Sequence, residues 1–187
     1  GGPLAQGEKA YGRFLIGIRT WQYLYIDVSR QVDELYDIRA DPQEYTNLID
    51  DPDRVHVVAV SATWRGREDA LGYVNPLTSE FEPTGLTTFL FRAADAWQKG
   101  DRRAFLVVFE EFNLSQPEHW LSDILVVSQF KDEARRYISL DGKAVRGRPA
   151  GQSSLLLSPS VHFVATINRD HTTRSLSPRV IDRSAVV

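Results

Sequence analysis

FLVVFEEFNLSQPEHWLSDIL, Phe105 to Leu125, sets five apolar residues directly against two adjacent acids and follows them with a helix-start signal. Phe105–Phe109 has no polar alternate positions, so it predicts a strand buried on both faces, as in a parallel sheet. Ser115 and Glu118 form an S-x-x-E capping box, which predicts a helix starting at Gln116 and burying Trp120, Leu121, Ile124 and Leu125. Open parallel sheets bind ligands beyond the carboxyl ends of their strands. Glu110 and Glu111 stand at such an end.

Outward from this stretch, strands and helices alternate. VHVVAV (Val55–Val60) and VHFVATIN (Val161–Asn168) are further β-branched runs that predict strands buried on both faces. After a loop, GYVNPLTSEFEPTG, the positions Leu86, Phe89, Leu90, Ala93, Ala94 and Trp97 share one helical face, which predicts an amphipathic helix over Thr84–Gln98. YISLDGKAV (Tyr137–Val145) carries Asp141-Gly142 between extended arms, a hairpin signal. A short helix is expected around Pro178–Arg183. The alternation implies an α/β fold, a three-layer sandwich with a mainly parallel sheet. There is no internal repeat.

Residues 1–54 read differently, and they are taken as a segment apart from 55–187. IRTWQYLYIDV (Ile18–Val28) predicts a strand that pairs with VDELYDI (Val32–Ile38) across the polar turn Ser29-Arg30-Gln31. DPQEYTNLIDDPD then predicts a helical turn opened by Asp41-Pro42. The segment is expected to be a hairpin plus a short helix.

Composition narrows the classes. Hydrophobic residues at 42% and charged residues at 25% are those of a globular chain, and 187 residues suffice for one domain with a small appendage. A net charge of -3 and a pI near 5.8 do not indicate direct nucleic-acid binding. Zero cysteines exclude disulfides, thiolate metal sites and cysteine nucleophiles. With no leader-like start and no apolar run of membrane-spanning length, a cytoplasmic protein without membrane contact is expected. With no methionine, a Gly1-Gly2 start and an apolar Ala185-Val186-Val187 finish, the ends are expected not to be those of a gene product.

The apolar run into two acids, followed by Asn113, resembles the Walker B motif of AAA+ ATPases. Together with GYVNPLTSEFEPTGLTTFLFRAADA before it and VHFVATINRDHTTRSLSPRVIDRS after it, residues 55–187 resemble the AAA+ module of the methylcytosine-restriction (McrB) type. That resemblance implies a P-loop nucleoside triphosphatase core using ATP or GTP with Mg²⁺. Glu110 would hold the metal and Glu111 would polarise the attacking water, because phosphoryl transfer depends on positioning and charge neutralisation. Asn168 would be the sensor-1 residue, and Arg183, or else Arg179, the arginine finger that reaches a neighbouring subunit. A homo-oligomeric ring is implied, and a nuclease or other effector subunit as partner. Bland roles stay open beside these: a solvated strand end for the acids, a turn cap for Asn168 and an ion pair with Asp182 for Arg183. Trp64 is read as a loop anchor, and His162 as a packed histidine.

The chain departs from that family twice. Glu110 stands where the family has Asp, which shifts the carboxylate by about 1.5 Å relative to an exacting magnesium shell. The nearest counterpart of the phosphate-binding loop is GPLAQGEKAY, offering Gly2, Gly7 and Lys9. In it Glu8 intrudes, Ala10 replaces the metal-holding Ser/Thr, and no buried strand precedes, so the core is incomplete. Residues 12–53 instead resemble the C-terminal subdomain of sulfatases, through Glu34–Asp37, Asp41-Pro42, Glu44 and Asn47-Leu48. That region is structural in sulfatases, and Ser158-Pro159-Ser160 lacks the Arg of their nucleophile motif. The alternatives are a non-catalytic binding or assembly module of α/β fold, and a sulfatase-related fragment without its active site.

Overall fold

The structure, a computed structural model, describes residues 15–19, 23–28, 34–37, 53–167 and 176–181. The chain divides into two compact units, Gly1–Pro52 with Val187, and Asp53–Val186. In the first unit, β1 (Leu15–Arg19), β2 (Tyr23–Val28) and β3 (Glu34–Asp37) form an antiparallel meander in that order. Ile18–Val28 is therefore two paired strands and not one, with Arg19 opposite Leu24. The stretch between them, Thr20-Trp21-Gln22, holds no Gly, Pro, Asn or Asp, so nothing in its composition marked a turn. β2 pairs with β3 from Tyr23↔Asp37 to Ile26↔Glu34. The helical turn expected after Asp41-Pro42 lies outside the described residues.

In the second unit a three-stranded parallel sheet runs in the order β10 (Val161–Ala165), β7 (Phe105–Glu110), β4 (Val55–Ala59). It is a mixed α/β unit, with helices packed on the sheet. The central strand β7 has Phe105 to Phe109 all buried, with Val107 and Val108 at 0% exposure. The flanking strands correct the expectation of burial on both faces: β4 alternates, with Val57 43% exposed, and His162 on β10 is exposed, not packed. An apolar run reports tolerance of burial, whereas the number of neighbours decides it, and among the described strands each of these has one.

Phe105, Val107 and Phe109 share the core with helix α2 (Gly85–Gln98) and with α3 (Pro117–Trp120). Phe89 of α2 lies edge-on to Phe105 at 5.7 Å and stacks on His56 at 5.3 Å, while Phe109 meets Trp120 at 5.4 Å. The Thr84 hydroxyl accepts from the Thr87 N–H and donates to the Ala70 carbonyl, which fixes where α2 begins. On the sheet's opposite face Leu106 and Val108 are buried, but their neighbours His162 and Val57 are exposed. The second helical layer of a three-layer sandwich is not among the described elements. No described helix is long and apolar enough to cross a membrane.

Three local expectations are revised. The loop before α2, residues 72–85, is an antiparallel hairpin of β5 (Gly72–Val74) and β6 (Phe81–Pro83), and a short helix not foreseen, α1 (Arg67–Leu71), precedes it. Gly72 has φ 117, and a Cβ there would overlap the Glu82 carbonyl, so this junction requires glycine. The capping box does not form: the Ser115 hydroxyl accepts from the Trp120 indole N–H at 2.8 Å, because that buried donor needs a partner. The expected single helix becomes α3 and α4 (Ser122–Val127), broken at Leu121, yet Trp120, Leu121, Ile124 and Leu125 are all buried.

The third revision concerns Asp141-Gly142. Both residues have positive φ, 57 and 66, and the Lys143 N–H donates to the Leu140 carbonyl, so the turn exists. The arms do not pair with each other. β8 (Tyr137–Ser139) pairs with β9 (Ser154–Leu156), while Ala144 and Arg146 bond to Phe81 through the main chain. The arm after the turn bonds to β6 in place of β8. A last helix, α5 (Pro178–Ile181), buries Val180.

At the amino-terminal edge of the sheet, Asp101 ties the entries of β4 and β7. Its carboxylate accepts from Arg54 at 2.6 Å and from the Arg103 guanidinium at 2.8 and 3.1 Å, with the Arg103 N–H at 3.0 Å. The hydrogen bonds from Arg103, then those from Arg54, hold its pKa well below the ordinary carboxylate range. A depressed carboxylate pKa gives stability that is complete above the unfolded value, about 3.9, and is lost as pH falls below it. Asp101→Asn is therefore expected to lower the urea midpoint at pH 7, and the gap to the unsubstituted protein should shrink as pH is brought down to about 2. A gap that stays constant with pH would show that the ionised form of Asp101 contributes nothing.

Candidate functional site

Because β4, β7 and β10 are parallel, their carboxyl ends share one rim. Glu110 is the last residue of β7 and is half-buried, and its carbonyl accepts from the Val60 N–H just past β4. Glu111 follows in the left-handed region, φ 52 and ψ 43, with its side chain exposed. For an L-residue this conformation costs about 1 kcal/mol, and such strain gathers at sites where a side chain must be aimed. The turn is held from β10: the Thr166 hydroxyl accepts from the Glu111 N–H at 3.1 Å, and the Thr166 carbonyl from the Phe112 N–H at 2.9 Å. Asn113, 4% exposed, sits in the short 3-10 turn Phe112–Leu114. Glu110, Glu111 and Asn113 all have partners.

The chain leaves β10 through Thr166 and Ile167 at this same rim, and Asn168 is the next residue. Asn168 itself lies outside the described residues, as do Arg183 and the loop residues Gly2, Gly7 and Lys9. Arg179 belongs to α5, but its side chain is outside the described set. The described structure thus brings together Glu110, Glu111 and Asn113, and supplies no geometry for the others. Among the described residues no group of three or more His, Asp or Glu side chains is placed to hold a metal. Magnesium is commonly held by one or two carboxylates with water and substrate phosphate completing its shell, and the chemistry of Glu110 and Glu111 fits that.

Between the segments that follow β4 and β7 lies an open crevice of ≈ 280 Å³ lined by Ala62, Trp64, Arg65, Ser115, Gln116 and His119. Trp64 is half-buried, edge-on to Trp120 at 5.0 Å, and so anchors its loop while forming one wall. The Arg65 and Gly66 N–H groups donate to the Asp69 carboxylate, which shapes the loop into α1. The side chains of Arg65, Gln116 and His119 are exposed. Sequence reading passed over this crevice because its two walls come from distant segments, and no spacing rule joins them.

No protein-family model matches the chain, and a search among curated proteins finds no match.

Proposed function

We propose that residues 55–187 form a nucleoside triphosphatase module of the AAA+ class, resembling the McrB type, that binds ATP or GTP with Mg²⁺ and is incomplete at its phosphate-binding loop. The observation that carries this reading is the acid pair at the carboxyl end of the central parallel strand, hydrogen-bonded to the segment that leads into Asn168. In this reading Glu110 would hold the metal, which when bound neutralises charge on the phosphates. Glu111, aimed outward by its left-handed backbone, would orient the attacking water. Asn168 would contact the terminal phosphate, and Arg183, or Arg179, would act on a neighbouring copy in a ring. Residues 12–53, resembling the sulfatase C-terminal subdomain, would serve a structural role.

Nucleotide titration with and without Mg²⁺ tests the proposal. Saturable Mg²⁺-dependent binding of ATP or GTP is expected, weakened about tenfold by Glu110→Ala through loss of one charge-assisted contact. Glu111→Gln is expected to spare binding and remove hydrolysis. No binding to either nucleotide would favour the second reading, a non-catalytic assembly module. That reading draws on Glu8 and Ala10, which spoil the nearest phosphate-loop candidate.

A further inference from the structure

We propose that the crevice between the segments that follow β4 and β7 is a binding site for a small organic oxyanion, a phosphate monoester or a carboxylate, distinct from the acid-pair site. The inference starts from Arg65. The other described arginine side chains of this unit pair with a carboxylate, bind main-chain carbonyls or lie over an aromatic ring. Among the described residues Arg65 has no such partner, although Asp69 is close enough to bind its main-chain N–H. Arg65 instead lines the crevice, together with His119 and Gln116. All three carry N–H donors, and a planar guanidinium matches an oxyanion with two parallel hydrogen bonds.

The lining contains no carboxylate, so an anion meets donors there and no acidic side chain. Trp64, held edge-on to Trp120, adds an aromatic residue to the lining. The volume of ≈ 280 Å³ is just under the roughly 300–1,000 Å³ of pockets that enclose drug-sized ligands. It accommodates one oxyanion with a small body. Arg65 and Trp64 come from the loop after β4, whereas Gln116 and His119 come from the segment around α3. The site is assembled by the fold and does not depend on the nucleotide reading.

NMR titration of the full ¹⁵N-labelled chain with sodium phosphate, with sodium acetate and with sodium chloride of matched ionic strength provides the test. Saturable shifts of the Trp64 indole N–H, the Arg65 side-chain N–H and the His119 ring are expected with phosphate or acetate and not with chloride. Saturation by phosphate alone assigns a phosphate monoester, and saturation by both a carboxylate-tolerant site. Arg65→Gln, an exposed substitution that leaves the core intact, should weaken binding at least about tenfold, and His119→Gln should weaken it less. Glu110→Ala should leave it unchanged, which separates this site from the nucleotide site. Absence of saturation above chloride, equal affinity in Arg65→Gln, or loss of binding in Glu110→Ala would each overturn the proposal.

Discussion

Trp120→Ala should lower the unfolding free energy by about 3–5 kcal/mol, the cost of deleting a large aromatic from a filled core. Trp120 is 1% exposed and is the point where the rim meets the core: its ring contacts Phe109, Phe112 and Trp64 at 5.0 to 5.4 Å. Its loss would open a cavity between β7 and α3, and would also leave the buried Ser115 hydroxyl without the indole donor. Domains of this size are stable by only about 5–15 kcal/mol, so the expected cost takes a large share of that margin. Chemical denaturation would measure it, and Trp120→Phe separates the contributions in part, by keeping a six-membered aromatic ring while removing the indole N–H together with its five-membered ring. A loss under 1 kcal/mol for Trp120→Ala would mean that these packing contacts do not determine stability.

Arg136→Leu should cost about 3 kcal/mol, by leaving carbonyl oxygens in and near the core without donors. Arg136 is 8% exposed and makes no salt bridge among the described residues. Its Nε donates to the Leu157 carbonyl at 2.8 Å and its Nη1 to those of Ser128 and Phe130 at 3.1 and 2.9 Å. One side chain therefore joins the end of α4 to the strand segment leaving β9. Burial depresses its pKa from the usual arginine value, yet it starts so high that the group stays charged, and three oxygen dipoles replace its lost water. Arg136→Lys should recover only part of the loss, because an ammonium cannot reproduce the guanidinium's spread of donors. Equal midpoints for Arg136→Leu and the unsubstituted protein in urea denaturation would exclude this role.

Where a residue's structural part is set by its own neighbours in the chain, the sequence was a sufficient guide. Leu86, Phe89 and Leu90 recur at helical spacing after Thr84, and α2 forms there with that face buried. Phe105–Phe109 has no polar position, and β7 is the central strand. Legibility ended where distant residues compete for the same group. Ser115 looks like a helix cap until the Trp120 indole claims its hydroxyl, and the arm after Asp141-Gly142 looks like half of a hairpin until Phe81 takes its main chain. At the candidate site, the placement of Glu110 and Glu111 on the rim followed from strand polarity alone. The left-handed backbone of Glu111 did not, since no Gly or Asn marked it and it depends on Thr166, which is distant in sequence. Arg65 and His119 were invisible as a pair for the same reason.

The order of strands in the parallel sheet also bears on how the chain reaches its native state. Val55 lies beside Leu106, and Phe105 beside Val161, so each pairing closes a loop of about fifty residues before any ladder bond is made. Such separations slow the search for the folded form, because chain entropy is surrendered well ahead of the contacts that compensate for it. Until both loops close, Phe105 to Phe109 remains a bare apolar segment with two open edges, the part of this molecule most prone to stray association during synthesis.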